Sequence, residues 1–178
     1  MRIEKRNEKG ITLVALSITI IVLLIIAGIT IYYSKDTIKR ANLESIKTNM
    51  MLIEAKAREC VEEANFKLGP NKQKIDEIAT IRDEVYEDGT ESAAQLKKID
   101  ELKSEKPQVS IPDAIPQDET VYWVTSETLE KWGLNKIELE DGEVYLIKFD
   151  EENVKVEIYN NLGFDSKYSL TEINEIEI

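Results

Sequence analysis

Histidine is absent from this chain, and cysteine occurs once, proline four times and glycine seven times among 178 residues. Without imidazole there is no side chain poised near neutral pH as general base, and histidine-based zinc sites and acyl-transfer triads drop out. A single cysteine cannot close a disulfide within the chain. Positive charge is also scarce: 23 Lys and Arg stand against 35 Asp and Glu, a formal net charge of −12. That balance opposes direct binding to nucleic acid phosphates, so no direct nucleic acid partner is expected. Carboxylates remain as the only catalytic or metal-binding groups present in number, and the length limits the chain to one or two small domains.

Hydrophobic residues are unevenly spread. Residues 11–33, ITLVALSITIIVLLIIAGITIYY, carry no charge. About 20 such residues span a bilayer as one helix. Each Ile, Leu or Val near the centre favours insertion by roughly 0.3–0.6 kcal/mol, so Thr12, Ser17, Thr19 and Thr30 do not prevent it. Their hydroxyls can bond back to carbonyls of their own helix. The run exceeds the ~7–15 apolar residues of a secretory signal and has no small-residue cleavage site at its far end. Tyr32 and Tyr33 stand where an interfacial aromatic belt belongs, followed by Lys35, Lys39 and Arg40.

Ahead of the run, residues 1–10 form a polar leader with Arg2, Lys5, Arg6 and Lys9 against Glu4 and Glu8, closed by Gly10. The junction Lys9-Gly10-Ile11-Thr12-Leu13-Val14-Ala15-Leu16 resembles the class III leader of type IV pilins and pseudopilins: a basic leader, a glycine, then an (F/I)TL start to an apolar helix. The resemblance implies cutting after Gly10 by a prepilin peptidase and methylation of the new amino terminus at Ile11. A glycine suits such a cut because, lacking Cβ, it lets the backbone extend into a protease cleft. The chain departs from the family at the fifth mature position. There the usual glutamate, which pairs with a neighbour's terminal amine, is replaced by Ala15. This leaves assembly without that ion pair and points to a minor subunit.

Residues 34–68 contain neither proline nor glycine, and Ile38, Ala41, Ile46, Met50, Ile53, Ala57, Cys60, Val61 and Ala64 recur in steps of three and four, predicting a helix. Gly69-Pro70 supplies a left-handed cap and a stop. One helix from about Thr12 to Leu68 would run roughly 85 Å at 1.5 Å per residue. A bare anchor needs only about a third of that, whereas pilin-like proteins are built this way, the second half presenting an apolar stripe to a small β-containing head. A membrane-proximal coiled coil would read similarly.

The expected fold is therefore α+β and pilin-like: one long N-terminal helix with a transmembrane half (11–33) and an amphipathic half (34–69), a polar helical region with a proline-containing linker (70–119), and a β-rich head (120–178). In the polar region, Ile75, Ile78, Ile81 and Val85 have helical spacing, and Asp88-Gly89 reads as a turn. A second helix is predicted near 92–103 with Ser92 and Gln95 as capping box. Pro107, Pro112 and Pro116 mark the extended linker. Residues 121–124 read as a strand, 126–132 as a short helix stopped by Gly133, and 143–149 with 154–159 as a hairpin joined by the acidic turn 150–153. Its Tyr145, Ile147 and Phe149 alternate with Val144, Leu146 and Lys148, predicting one buried face and an exposed outer one. The alternating tail EINEIEI reads as an edge strand.

No catalytic residue, metal ligand or cofactor site emerges. The acidic clusters 141–143 and 150–153 lack EF-hand spacing and read as solvated turns. Cys60 reads as a small buried hydrophobe. Trp123 and Trp132 read as core aromatics in preference to a sugar platform. The expected function is structural and non-enzymatic: a minor pilin or pseudopilin of a type IV pilus or type II secretion-like filament. Processing would involve Lys9, Gly10 and Ile11. Assembly with other pilin-like subunits would use the apolar helix, with Thr12, Leu13, Ala15, Ser17, Ala27 and Gly28 setting close approach as in membrane helices. Membrane lipid is the partner before assembly. The location is a cell membrane, single-pass, with the acidic C-terminal part outside the cytoplasm, or an extracellular filament after processing. The alternatives are an uncleaved anchored surface protein with a ligand-binding head and, last, an anchored enzyme using carboxylates.

Overall fold

A computed structural model describes residues 8–69, 85–86, 96–150 and 155–177. The chain divides into two compact units, Met1–Asn42 and Leu43–Ile178. Helix α1, Glu8–Leu68, contributes to both. It begins a turn before the expected start and ends at Gly69, whose φ of +56° is the left-handed stop anticipated from its sequence. On its solvent side, i,i+3 and i,i+4 ion pairs join Arg58 to Glu54, Lys56 to Glu59 and Lys67 to Glu63.

In the second unit, α1 is one wall of a core. Leu43, Met50, Ile53, Ala57, Cys60 and Ala64 are buried, with Ile46 packed beside them, a three-and-four alternation that keeps one narrow stripe facing inward. The small residues Ala57, Cys60 and Ala64 continue the stripe to its end inside the same buried cluster. Ile38 and Ala41, counted in the stripe from sequence, are exposed in the first unit.

The sheet has five antiparallel strands in chain order: β1 Lys97–Lys98, β2 Val121–Val124, β3 Tyr145–Asp150, β4 Lys155–Phe164 and β5 Lys167–Ser169. Short helices α2 Ile99–Glu105, α3 Ser126–Lys131 and α4 Leu170–Asn174 intervene or follow. Strand β2 and the β3–β4 hairpin lie where the sequence placed them, and α3 ends before Gly133, which has φ +69°. Thr125 caps α3, its hydroxyl accepting from the Thr128 N–H at 3.0 Å. This helix with a sheet head is the α+β architecture expected. One long apolar N-terminal helix followed by a small antiparallel sheet is compatible with a pilin-like fold.

Strand alternation sorts the sheet's side chains onto two buried faces. Tyr122, Val124, Tyr145, Ile147, Phe149 and Ile158 join the α1 stripe, together with Leu129, Trp132, Leu170 and Ile173. Val121, Trp123, Val144, Leu146 and Tyr159 meet Ile99 and Leu102 of α2 and Ile115 from the proline-bearing segment. The outer face expected to be exposed is therefore covered. The residues that cover it come from stretches whose polar composition hid single anchoring Ile and Leu side chains.

Three further expectations change. In place of one helix over 92–103, the chain forms β1 and then α2, because Lys97 and Lys98 pair with Trp123 and Tyr122. The tail is not an edge strand: Leu170 and Ile173, three apart, are both buried, and Ser169 caps the helix they form. Strand β4 runs past Tyr159 to Phe164 through a register shift against β5. Ile75, Ile78, Ile81, the Asp88-Gly89 turn and the Ser92–Gln95 box lie outside the described residues, as does most of the acidic turn 150–153. Val85 and Tyr86 are described and buried, and the Tyr86 ring stacks on Phe149 at 4.2 Å.

Candidate functional site

The feature that sets this chain apart is the apolar part of α1. It is a helix long and apolar enough to cross a membrane. Residues 13–31 are all exposed, Leu24 by 68% and Leu13 by 66%. A contiguous apolar surface of this size marks a membrane or protein interface. Its polar atoms are satisfied locally: the hydroxyls of Ser17, Thr19 and Thr30 donate to the carbonyls of Leu13, Leu16 and Ile26 at 2.8–2.9 Å. No hydroxyl there depends on water, the condition for a helix lying in hydrocarbon.

Lys9, Gly10, Ile11 and Thr12 fall in the first turns of α1, and Leu13, Ala15, Ser17, Ala27 and Gly28 along its exposed length. Helical geometry groups only some of them. Ser17 and Gly28 are separated by about three full turns and share a face, while Ala15 lies on roughly the opposite side. A Cβ on Gly28 would have nothing within 4 Å, so that glycine is not explained by packing inside the chain.

The second unit holds a buried polar cluster that the sequence reading passed over. Glu143, expected in a solvated turn, is buried, and its carboxylate accepts from Asn160 Nδ2 at 2.6 Å and from the Glu140 N–H at 2.8 Å. Asn160 Oδ1 accepts from the N–H groups of Leu162 and Gly163, both at 2.9 Å. Asn161 Oδ1 accepts from the Val144 N–H at 2.7 Å, and its Nδ2 donates to the carbonyls of Gly142 and Ser110. Nearby, Asn49 of α1 donates to the Tyr145 hydroxyl at 3.4 Å, and burial pushes the Tyr145 phenol well above its ordinary range. These bonds pin the irregular part of β4 to the turn before β3. Two adjacent asparagines, a residue type disfavoured in strands, directly after the predicted strand 154–159 were the available signal.

A groove of about 670 Å³ opens at the other end of the sheet, lined by Asp118, Thr120, Lys148, Lys155, Glu157 and Thr171 over Phe149 and Val156. The Thr120 hydroxyl donates to Asp118 and, with the Thr120 N–H and Lys148 at 3.5 Å, holds the Asp118 carboxyl below its ordinary value. An aspartate kept ionised by such partners does not serve as an acid near neutrality. Trp123 and Trp132 are both buried, one on each side of the sheet, so neither offers a stacking platform. Cys60 is buried on the α1 stripe. No family model matches the chain, no curated protein is significantly similar to it, and no solved structure matches its fold.

Proposed function

We propose that this chain is a type IV pilin-like or pseudopilin structural subunit, cleaved after Gly10, methylated at Ile11 and assembled through its N-terminal apolar helix. One observation carries the reading: a single helix whose residues 13–31 are all exposed and whose residues 43–64 supply a wall of the head core. The bilayer would store the apolar part until it exchanges lipid for the same part of other subunits. Both states are apolar, so hydrophobic free energy changes little, and close packing at small residues such as Ser17 and Gly28 would set the contacts. Partners are then the prepilin peptidase, other pilin-like subunits and membrane lipid, with the head outside the cytoplasm. Ala15 favours a minor role in this reading, since it cannot supply the ion pair that a glutamate would.

Intact mass and amino-terminal sequence of the protein from its own membranes test the proposal. A chain beginning at Ile11 and one methyl group heavier is the expected result. A chain still beginning at Met1 overturns it in favour of an uncleaved membrane-anchored surface protein. That second reading has one observation in its favour: α1 already runs from Glu8 through Gly10, whereas a protease takes its substrate extended.

A further inference from the structure

We propose that Lys35, Lys39 and Arg40 form a binding surface for anionic phospholipid headgroups at the C-terminal end of the apolar run. All three are exposed on α1, and Lys35 and Lys39, four residues apart, share one face. Asp36 is the one acid among residues 34–42, so the stretch keeps a net charge of +2 in a chain whose formal net charge is −12. At 1.5 Å rise per residue these cations lie within about 3–11 Å of Tyr33, the end of the apolar run, along the helix axis. That is about one Debye length at 0.1 M salt. Their long aliphatic stems can lie on apolar surface while the charged ends reach phosphate oxygens. Charge complementarity therefore selects the occupant: a phosphodiester headgroup with a net negative charge.

Lys56 and Arg58 belong to the second unit and are paired with Glu59 and Glu54, both at 2.7 Å. The proposal rests on the membrane-spanning part of the functional reading and not on cleavage after Gly10.

The test uses the full chain in nanodiscs of mixed neutral phosphatidylcholine and anionic phosphatidylglycerol, counting retained lipids by native mass spectrometry. The expected result is enrichment of phosphatidylglycerol, weakened about fivefold for each cation replaced in the series Lys35→Gln, Lys39→Gln, Arg40→Gln. Lys35→Arg with Lys39→Arg keeps the enrichment, and Lys56→Gln leaves it unchanged. Raising sodium chloride from about 0.1 to 1 M removes it as screening shortens. Equal lipid ratios for wild type and the triple variant overturn the proposal while leaving the membrane span intact. Failure of the wild-type chain to insert at all overturns the proposal and the membrane-spanning reading together. Displacement by inorganic phosphate beyond that by sodium chloride at equal ionic strength would mean a free-phosphate site and overturn the lipid assignment.

Discussion

At the scale of single residues, Gly163 shows how little freedom the bulged end of β4 has. Its φ is +60°, and a Cβ there would stand 2.4 Å from the Lys167 carbonyl oxygen and 2.5 Å from the Tyr168 ring. Backbone strain and a clash with backbone act together, so Gly163→Ala is expected to destabilise the head by roughly 2–4 kcal/mol, read as a lower denaturant midpoint. Gly28→Ala, in open space on a helix, is expected to lack this cost. A matching loss for both variants would sink the account of Gly163. The sequence made Gly69 and Gly133 legible because each ends a helical pattern. Gly163 lay beyond the predicted strand 154–159, and Asn160 and Asn161 near it carried no periodicity to betray their burial. Their role depends on Glu143, 17 positions earlier than Asn160, being folded against them.

At the scale of elements, helix α4 carries a pH dependence. Hydrogen bonds from the N–H groups of Ser169 and Tyr168, with the Ser169 hydroxyl, hold the Glu172 carboxyl below its ordinary value of 4.5. A carboxyl depressed in the folded state contributes stability that is present above its unfolded value and lost as pH falls through its folded value. Glu172→Gln is therefore expected to lower the denaturant midpoint at neutral pH and to match wild type well below pH 4.5. An equal deficit at both pH values would mean that the carboxylate's charge is not what secures α4.

The α1 stripe gives a second test at this scale. Ile53 is fully buried against the sheet, whereas Ile38 is 58% exposed. Ile53→Ala is expected to cost about 2–5 kcal/mol of head stability by leaving a cavity, and Ile38→Ala less than about 0.5 kcal/mol. Similar losses in both would show that the stripe does not form the head's wall. Elements with a strong local signal were legible: α1 by its apolar run and the three-and-four spacing from Ile46 to Ala64 without proline or glycine, β2 and the hairpin by β-branched and aromatic residues. Strand β1 was not, because two lysines have no strand preference of their own and pair only because β2 offers its edge. The EINEIEI tail fits a strand period and a helix cap equally well. The cap prevails once Leu170 and Ile173 can both reach the core.

At the scale of the whole molecule, the exposed apolar part of α1 and the folded head are expected to be separable. Ala27→Glu places a carboxylate in the middle of the run, at a cost of roughly 2.5–3.5 kcal/mol in hydrocarbon. It is expected to abolish incorporation into filaments while the head's unfolding midpoint stays at the wild-type value. Alkaline extraction in the same preparation reports whether the variant still inserts. Normal incorporation would remove the assembly model.

What the sequence by itself determined were the features carried by local or short-range physics: the uncharged run, the long helix and its stop, the strand alternation and the absence of imidazole chemistry. Tertiary structure alone decided that the sheet is buried on both faces and that Glu143 lies inside a polar cluster. It also made the proline-bearing segment a packed cover anchored by Ile115. Each of these needs residues distant in sequence to meet, and the free energy of such a meeting depends on the shape of the partner, which no local pattern contains.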